Sequence, residues 1–429
     1  MNVVVVGGGV AGIVAALDCA SAGASVTLVE VRPRLGGAAY SVERDGMWVD
    51  NGQHVFLRCC TAYRELLTKL GSDGLVELQD RLEIPVLSPG RSEVVLRRDN
   101  ARPPLHLART LLRYSHLSLR ERIAAGRAAL ALGRVKGDDS RTLGAWLKEH
   151  GQSDRAIAAL WDLIALPTLN LRADEASLEL GAFVFQEGLL KDAAAGDIGL
   201  HVAPLQQIIG DAAKRALAAA GVTVHTRWPA QRVATIGGRY AVVGGDSWLG
   251  ADAVIVAVPH ERAAALLPQE ALRDAAWPGG LHSAPIVNVH VVYDRRVLPH
   301  RFAAGVATPV QYVFDRTPPG WGQRQYIAIS LSGAREEMGM GTTAIRERYV
   351  AALAELLPAA ASARVEHFSA TKEHAATFRA VPGSGALRPP AATALPGLAL
   401  AGAWTQTGWP ATLEGAARSG HAAAAAVLR

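Results

Sequence analysis

The first thirty residues follow a strand–helix–strand pattern of hydrophobic positions. Asn2–Val6 is a run of mainly valine, which is typical of a strand buried on both faces of a parallel sheet. Residues 10–22 carry small and apolar side chains at helical spacing and are followed by Gly23, a residue common just beyond a helix. Ser25–Glu30 is again strand-like. The pattern predicts a βαβ unit with parallel strands.

The rest of the chain divides into a helical part and a strand-rich part. From residue 61 to residue 190, charged residues are interleaved with Leu and Ala at helical spacing, which predicts a mostly helical insertion. Further helices are expected near residues 204–219 and 412–428, and buried strands at residues 253–258 and 399–402. Alternating patterns predict a second, more antiparallel sheet, formed by residues 285–293, 311–315, 326–331 and 364–370.

Composition and charge narrow the class of protein. Half of the 429 residues are hydrophobic and 19% are charged, as in globular enzymes rather than disordered chains. The net charge of +5 is mildly basic, but no run of five Lys or Arg occurs, so nucleic acid is not expected as a partner. Cys19, Cys59 and Cys60 match neither a disulfide framework nor a metal-binding spacing, so we expect no metal and a reducing cytoplasm. The sequence has no apolar stretch of about 18 residues, so no transmembrane helix is expected.

The turn between the first strand and the first helix carries the first chemical signal. Gly7, Gly9 and Gly12 form the pattern G-x-G-x-x-G. The first glycine allows the tight turn, the second lets the main chain approach a pyrophosphate, and the third permits close packing of helix on strand. Glu30 ends the second strand, where a carboxylate accepts hydrogen bonds from ribose hydroxyls. The sequence therefore predicts a bound dinucleotide, with an unrelated glycine turn as the alternative.

The residues after Glu30 favour FAD over NAD. Arg34 is placed to pair with a phosphate oxygen, and Gly36 and Gly37 let the chain pass close to the ligand. A surface turn that carries an arginine is the alternative interpretation. We therefore predict FAD as the cofactor.

These elements together predict an α/β fold, α+β overall, in two domains, because a chain of 429 residues exceeds what one hydrophobic core usually serves. A Rossmann-like FAD-binding domain is expected to comprise residues 1–60, 200–275 and 385–429. A substrate-binding domain, with helices on a mixed or antiparallel sheet, is expected to comprise residues 61–199 and 276–384.

The order of these motifs resembles the superfamily of FAD-dependent amine oxidases and phytoene desaturases. More narrowly, residues 50–54 (DNGQH), Ala375, Thr377, Phe378 and residues 400–415 (LAGAWTQTGWPATLEG) resemble the squalene-associated flavoenzymes called hydroxysqualene dehydroxylases. The resemblance implies an enzyme that uses reduced FAD to remove the hydroxyl of hydroxysqualene, giving squalene for hopanoid or related triterpene synthesis. The sequence identifies no electron donor.

The resemblance also implies roles for individual residues. Val233 would present its backbone to the adenine, and Thr412 and Leu413 would lie beside the flavin ring, at the positive end of a helix. Ala403 stands where the family often has an acid, and Ala38 where amine oxidases commonly have an arginine. The complete predicted cofactor set is Gly7, Gly9, Gly12, Glu30, Arg34, Gly36, Gly37, Val233, Gly402, Thr412 and Leu413.

Catalytic candidates are fewer, because removal of a hydroxyl needs a proton donor in addition to the hydride source. His54 ordinarily titrates near neutral pH and is the leading candidate, with Asp50 orienting or supporting it. In the alternative interpretation, Asp50, Asn51 and Gln53 only brace the flavin loop. The weaker candidates are Glu373, His374 and Arg379.

Residues 102–136 alternate basic and apolar side chains at amphipathic spacing. Because an isoprenoid has almost no aqueous solubility, we hypothesise that this stretch makes a peripheral contact with the inner face of the membrane. An ordinary exposed helix pair is the alternative. Two other functions also stay open: a carotenoid-type desaturase or amine oxidase, in which electrons flow the opposite way, and a non-catalytic flavin-binding escort of prenyl lipids.

Overall fold

A parallel sheet is built around the strand that opens the chain. The computed structural model of the protein describes residues 1–272 and 280–429. Asn2–Val6 pairs in register with one neighbour on each side. The predicted βαβ unit and the α/β fold class are confirmed. The five strands of this sheet lie in the order Thr223–Thr226, Ser25–Glu30, Asn2–Val6, Ala253–Val256 and Leu398–Leu400.

Both faces of the parallel sheet are covered, which explains the unbroken run of valines in its central strand. Val3 and Val5 pack in one hydrophobic cluster with the helices Val10–Ser21 and Leu413–Val427. Val4 and Val6 belong to a second cluster on the opposite face. That face carries an antiparallel meander of the strands Arg232–Ile236, Arg239–Gly244 and Ser247–Ala251.

A second, seven-stranded sheet is antiparallel except for one parallel pair. Val287, Val289 and Val291 of the strand Ser283–Tyr293 pack on the helix Thr342–Leu356. The alternate residues face the N-terminal segment, where Val292 contacts Met47 and Val49. The order of its strands is Val365–Phe378, Ser283–Tyr293, Gln325–Ser332, Tyr312–Asp315, Phe302–Gly305, Glu83–Leu87 and Val94–Arg97.

The expectation of a mostly helical region from residue 61 to residue 190 is wrong in part. The hairpin Glu83–Leu87 and Val94–Arg97 lies in this region and extends the seven-stranded sheet. Pro85 inside the first strand weakens a strand pattern, which is why the hairpin is hard to see in the sequence. Two small sheets complete the described strands: Ser41–Arg44 with Met47–Asp50, and Ile198–His201 between Val55–Leu57 and Val76–Leu78.

The α-helices of the described residues are Val10–Ser21, Thr61–Leu70, Ala108–Arg113, Leu119–Leu132, Leu143–Glu149, Asp154–Ala156, Asp162–Leu169, Leu178–Phe185, Ala212–Ala219, His260–Leu266, Arg335–Gly339, Thr342–Leu356 and Leu413–Val427. Short π-helical segments occur at Ile157–Trp161, Gln186–Leu190 and Gln206–Asp211. Short 3₁₀ segments occur at Asp73–Leu75, Leu105–Leu107, Gln269–Ala271, Pro358–Ser362 and Ser384–Leu387. Within residues 1–272 and 280–429, none of the helices combines the length and the hydropathy needed to cross a membrane.

The division into two domains stays a prediction. The packing of one helix disagrees with the boundary expected at residues 60 and 61. The helix Thr61–Leu70, which was expected in the substrate-binding domain, places Tyr63, Leu66 and Leu67 in the cluster that covers the parallel sheet. The expected boundary between residues 275 and 276 lies outside the described residues.

Candidate active site

The glycines of the turn between the first strand and the first helix are explained in two ways: some by backbone packing and one by room for a ligand. Gly7 has a φ of +114°, and a Cβ added to Gly12 would lie 1.9 Å from the Gly7 carbonyl oxygen, so the close approach of helix to strand requires both. Gly9 has extended backbone angles (φ −78°, ψ 177°), and a Cβ there would come no closer than 3.6 Å to the Cα of Gly37. Packing therefore explains Gly12 but not Gly9, whose open surroundings fit a ligand. No side chain of the described residues caps the helix Val10–Ser21, which leaves its N-terminus available to an anion.

Glu30 is buried beside the glycine turn, as the dinucleotide prediction requires. One carboxylate oxygen accepts a hydrogen bond from the Gly8 N–H at 2.6 Å and the other from the Arg32 N–H at 2.8 Å. The backbone N–H of Trp228 donates to the Glu30 carbonyl at 2.9 Å, so the segment that leads to Val233 runs alongside. Val233 itself is buried on an edge strand next to the sheet.

The loop of Gly36 and Gly37 lies directly against the glycine turn. The Gly36 N–H donates to the Gly8 carbonyl at 2.9 Å, and a Cβ on Gly37 would lie 2.7 Å from the Cα of Gly9. The local motifs that predicted a nucleotide therefore meet in space.

Arg34 has a buried polar atom that would suit a phosphate of FAD. Its guanidinium lies 3.4 Å from the centre of the Tyr40 ring, and its Nη1 atom is buried without a hydrogen-bond partner among the described residues. Burial, and then repulsion from Arg32, lowers the pKa of Arg34. A buried guanidinium nitrogen without a hydrogen-bond acceptor is costly unless an anion meets it. The residues present therefore fit a diphosphate between the glycine turn and this loop.

Asp50 is a bracing residue in the structure. Its carboxylate accepts hydrogen bonds from the Ser41 hydroxyl at 2.6 Å, from the Leu205 N–H at 3.2 Å and from Arg316 at 2.7 Å. It makes no hydrogen bond to the His54 ring among the described residues, so Asp50 does not orient His54 through a hydrogen bond, and the expectation that it supports His54 stays a prediction. Asp50 influences His54 only through its charge.

His54 is held by the backbone. Its Nδ1 lies 3.1 Å from the Gly52 carbonyl oxygen, which can only accept, so Nδ1 carries the hydrogen and Nε2 is left with a lone pair in the neutral ring. Burial lowers the pKa of His54 below its ordinary value of 6.5, and the bond to Gly52 and the charges of Asp50 and Glu373 offset part of this effect. The expectation that His54 titrates near neutral pH is therefore corrected: its ring is neutral at pH 7.

A polar network joins the loop of residues 31–40, called the FAD loop because it carries the predicted phosphate-binding residues, to the seven-stranded sheet. The Tyr40 hydroxyl donates to Glu373 at 2.8 Å, and the Asn51 amide donates to Glu373 at 3.3 Å and to the Ala38 carbonyl at 2.8 Å. Asn288 donates to the Asn51 carbonyl at 2.8 Å. Asn51 therefore has the bracing geometry that the alternative interpretation expected, and Glu373 lies within the site.

The other two weaker catalytic candidates, His374 and Arg379, make no hydrogen bond to this network among the described residues. His374 is exposed, and Arg379 pairs with Glu175 at 2.8 Å, away from the FAD loop. The Nε2 atom of Gln53 and the Oδ1 atom of Asn288 are buried without hydrogen-bond partners among the described residues. Such atoms mark places where a bound polar ligand would satisfy the protein.

Arg388 holds the C-terminal motif and was missed by the sequence. It is 5% exposed, and its Nη2 donates to the carbonyls of Thr405 at 2.6 Å and Trp409 at 2.8 Å. It also reaches the Ala403 carbonyl and the Thr407 hydroxyl at 3.2 and 3.1 Å. Burial lowers the pKa of Arg388 to about 10. Nothing in the local sequence distinguishes Arg388 from a surface arginine, because its acceptors, three carbonyls and one hydroxyl, lie 15 or more residues away.

The C-terminal helix begins where the sequence predicts. Thr412 is its N-cap, with Oγ1 accepting from the Gly415 N–H at 3.1 Å, and Leu413 is its first, half-buried residue. Gly402 has a φ of +146° and donates its N–H to Ser419 at 2.8 Å, which ties the preceding strand to this helix. The predicted flavin-facing residues are therefore on one turn between strand and helix.

An apolar wall adjoins the C-terminal motif. The helix Leu178–Phe185 directs Phe183 against Trp409, with ring centres 5.1 Å apart and planes at 76°. Phe185 packs edge-on against Trp161 at 5.0 Å. Phe183 and Trp409 therefore give the C-terminal motif an apolar side next to the predicted flavin position, whereas Phe185 and Trp161 are buried in the core behind them.

The fold and this site define a dinucleotide-binding flavoenzyme. Residues 10–428 match the model of the flavin containing amine oxidoreductase family, and the chain belongs to that family. It is an FAD-dependent oxidoreductase. An enzyme of this class is not the non-catalytic escort that the sequence left open.

Named relatives support this assignment, and a solved structure shares the fold. The chain is 29% identical to hydroxysqualene dehydroxylase of Rhodopseudomonas palustris, over 99% of this chain and 97% of the relative. It is 23% identical to zeta-carotene desaturase of Synechocystis, over 100% of this chain and 97% of the relative. An oxidoreductase structure from Methanosarcina mazei superposes with a TM-score of 0.75 at 20% identity, covering 98% of this chain and 99% of that chain. The last likeness concerns the fold alone.

Proposed function

We propose that this enzyme reductively removes the hydroxyl of hydroxysqualene and releases squalene. The observation that carries the proposal is the similarity to hydroxysqualene dehydroxylase of Rhodopseudomonas palustris along almost the whole of both chains. The aromatic wall of Phe183 and Trp409 supports an isoprenoid substrate, because it offers an apolar surface where the predicted flavin segment begins.

Bound FAD in its reduced form would supply the hydride and both electrons. In the balanced reaction the carbon–oxygen bond of the substrate breaks, a new carbon–hydrogen bond forms from the hydride, and the hydroxyl leaves as water after taking one proton from the protein. The protein then has three tasks: to position the isoprenoid, to exclude water, and to deliver a proton to the departing oxygen.

His54 is the proton donor in this proposal. Its burial keeps the neutral ring dominant at pH 7, so protonation precedes donation and becomes easier as the pH falls. The bond from Nδ1 to the Gly52 carbonyl fixes the ring and directs donation through Nε2. Arg388 holds the loop of the C-terminal motif and is a positioning residue.

Anaerobic turnover tests the proposed function. Purified protein loaded with FAD, reduced chemically and supplied with hydroxysqualene, is expected to form squalene and oxidise its flavin in equal amounts, measured by mass spectrometry and by absorbance. Protein with oxidised FAD is the control and should form none. The competing function is carotenoid desaturation, favoured by the similarity to zeta-carotene desaturase. Reduction of the bound flavin by a carotene, without squalene formation from hydroxysqualene, would establish that alternative instead.

A further inference from the structure

Two neighbouring helices present an exposed aliphatic face. In the described residues, five of the thirteen exposed large apolar side chains lie between residues 105 and 130, and they are 53% to 66% exposed. Isolated exposed aliphatic residues are ordinary, but a local group of them indicates a surface that meets an apolar partner. The five are Leu105, Leu112, Leu119, Ile123 and Leu130.

Three of these side chains lie on one face of the helix Leu119–Leu132. At 100° per residue, Leu119, Ile123 and Leu130 lie within about 40° of one another. The opposite face carries Ala125 and Ala128, which are buried in the core. The aliphatic stripe is therefore a second apolar face on a helix whose core-facing side is already packed.

Unpaired cations surround this stripe. Residues 102–136 contain eight Arg and Lys and one acid, Glu121, a net charge of +7, whereas the whole chain has +5. Glu121 is already occupied by Arg155, Ser118 and Ser153. Arg122 donates to backbone carbonyls of the adjoining turn. The other seven are exposed and have no ion-pair partner among the described residues: Arg102, Arg109, Arg113, Arg120, Arg127, Arg134 and Lys136.

We propose that this aliphatic–arginine surface, formed by the five aliphatic and seven basic residues named above, docks on a lipid bilayer that contains anionic phospholipid. Aliphatic side chains enter the boundary between headgroups and acyl chains, and the guanidinium groups pair with lipid phosphates. A bilayer offers hydrocarbon and negative charge within the reach of adjacent side chains, which suits aliphatic residues interleaved with arginine. An acidic protein would need carboxylates at fixed positions among apolar pockets. The proposal goes beyond the proposed function and holds for any substrate.

Vesicle sedimentation with the flavin-loaded, full-length protein tests the proposal. We expect the protein to sediment with vesicles of equal parts phosphatidylcholine and phosphatidylglycerol at low salt. Release is expected at high salt and with phosphatidylcholine alone, because the charges require an anionic surface. Protein that stays in the supernatant with the anionic vesicles, or that binds soluble polyglutamate but not vesicles, would overturn the proposal.

Two variants separate the aliphatic from the basic contribution. Leu119→Ser/Ile123→Ser/Leu130→Ser and Arg109→Gln/Arg113→Gln/Arg120→Gln/Arg127→Gln should each lower the partition coefficient at least about tenfold. Because all these side chains are exposed, both variants should fold. Flavin absorbance verifies that they do. Ile236→Ser is the matched control: Ile236 is 64% exposed on the meander, and its variant should bind as wild type does. Equal binding of the aliphatic variant and wild type, or an equal loss in the Ile236 control, would refute the assigned surface.

Discussion

Asp50 and Arg316 form an ion pair with 2.7 Å between Oδ2 and Nη2, and their side chains are 5% and 17% exposed. The same carboxylate binds the Ser41 hydroxyl and the Leu205 N–H, and Arg316 also donates to the His201 carbonyl. Three segments that are far apart in the chain therefore meet at one buried charge pair. Removing one partner of such a pair strands the other charge away from water.

Asp50→Asn is expected to lower the free energy of unfolding by about 3–5 kcal/mol, because Arg316 loses its countercharge while remaining largely buried. Turnover per bound flavin should fall only modestly, since Asp50 acts on the His54 ring through its charge and makes no hydrogen bond to it. Thermal unfolding and flavin-normalised rates measure the two effects. Asp45→Asn, at an exposed turn, is the control. A variant of normal stability and lost turnover would return Asp50 to the catalytic residues.

Gly9→Ala and Gly12→Ala should behave differently. A Cβ at Gly9 has room in the protein, so we expect a folded apoprotein that no longer retains FAD. A Cβ at Gly12 would collide with the Gly7 carbonyl at 1.9 Å, so this variant should be destabilised even without cofactor. Circular dichroism and flavin content after purification distinguish them. Full flavin content in Gly9→Ala would show that the pyrophosphate does not lie against this residue.

His54→Asn is expected to keep its flavin and to lower the turnover rate on hydroxysqualene about a hundredfold, as loss of a general acid does. Because burial lowers the pKa of His54, the wild-type rate should rise as the pH falls below 7, and this dependence should disappear in the variant. His374→Asn, at an exposed position, should retain the wild-type profile. An unaltered rate and pH profile in His54→Asn would leave His54 with a structural role.

Arg388→Lys tests the loop that carries the C-terminal motif. These acceptors surround a single atom, Nη2 of Arg388, and the shorter side chain of lysine places its Nζ short of that position, so we expect a loss of about 2–5 kcal/mol in stability and weaker FAD binding. Calorimetry and flavin titration provide the measurements. Arg364→Lys, at a side chain that is 74% exposed, should have no effect. Unchanged FAD affinity would show that Arg388 stabilises the fold and does not position the cofactor site.

Acid should destabilise the protein through its buried histidines. Burial lowers the pKa of His201 and of His290 to about 3, whereas an unfolded histidine titrates near 6.5. The unfolded chain therefore binds more protons below pH 6.5, and stability is complete above that pH and is lost as the pH falls toward 3. At pH 5 each residue should cost about 2 kcal/mol.

His201→Gln provides the check on this pH dependence. The slope of unfolding free energy between pH 6.5 and pH 4 should fall by about 1.4 kcal/mol per pH unit, whatever the variant's stability at pH 7. Replacing the exposed His225 with Gln should leave the slope as it is. A wild-type slope in His201→Gln would contradict the assignment of a neutral buried ring.

Local patterns in the sequence were sufficient for the parts of the site that fold locally. Gly7 to Gly12, Glu30 and the pair of Gly36 and Gly37 lie within forty residues, and strand, turn and helix periodicities place them without knowledge of the rest. The helix N-cap at Thr412 was predictable for the same reason. Such features depend on backbone conformation more than on distant contacts.

The remaining features depend on contacts between distant residues. Asn51 reaches Glu373 across 322 positions and Asp50 reaches Arg316 across 266, and neither pairing leaves a mark on the neighbouring sequence. The lowered pKa of His54 is likewise a product of burial, which the ring's own neighbours do not reveal. A single sequence identifies the residue types but not which of them become partners.

The order of strands in the parallel sheet has a consequence for synthesis. Asn2–Val6 leaves the ribosome before Ala253–Val256 and well before Leu398–Leu400, which pairs with Ala253–Val256. At ordinary elongation rates the nascent chain carries an open sheet edge and uncovered valines for on the order of tens of seconds. Protection of this edge by chaperones during translation is therefore expected to raise the yield of folded enzyme.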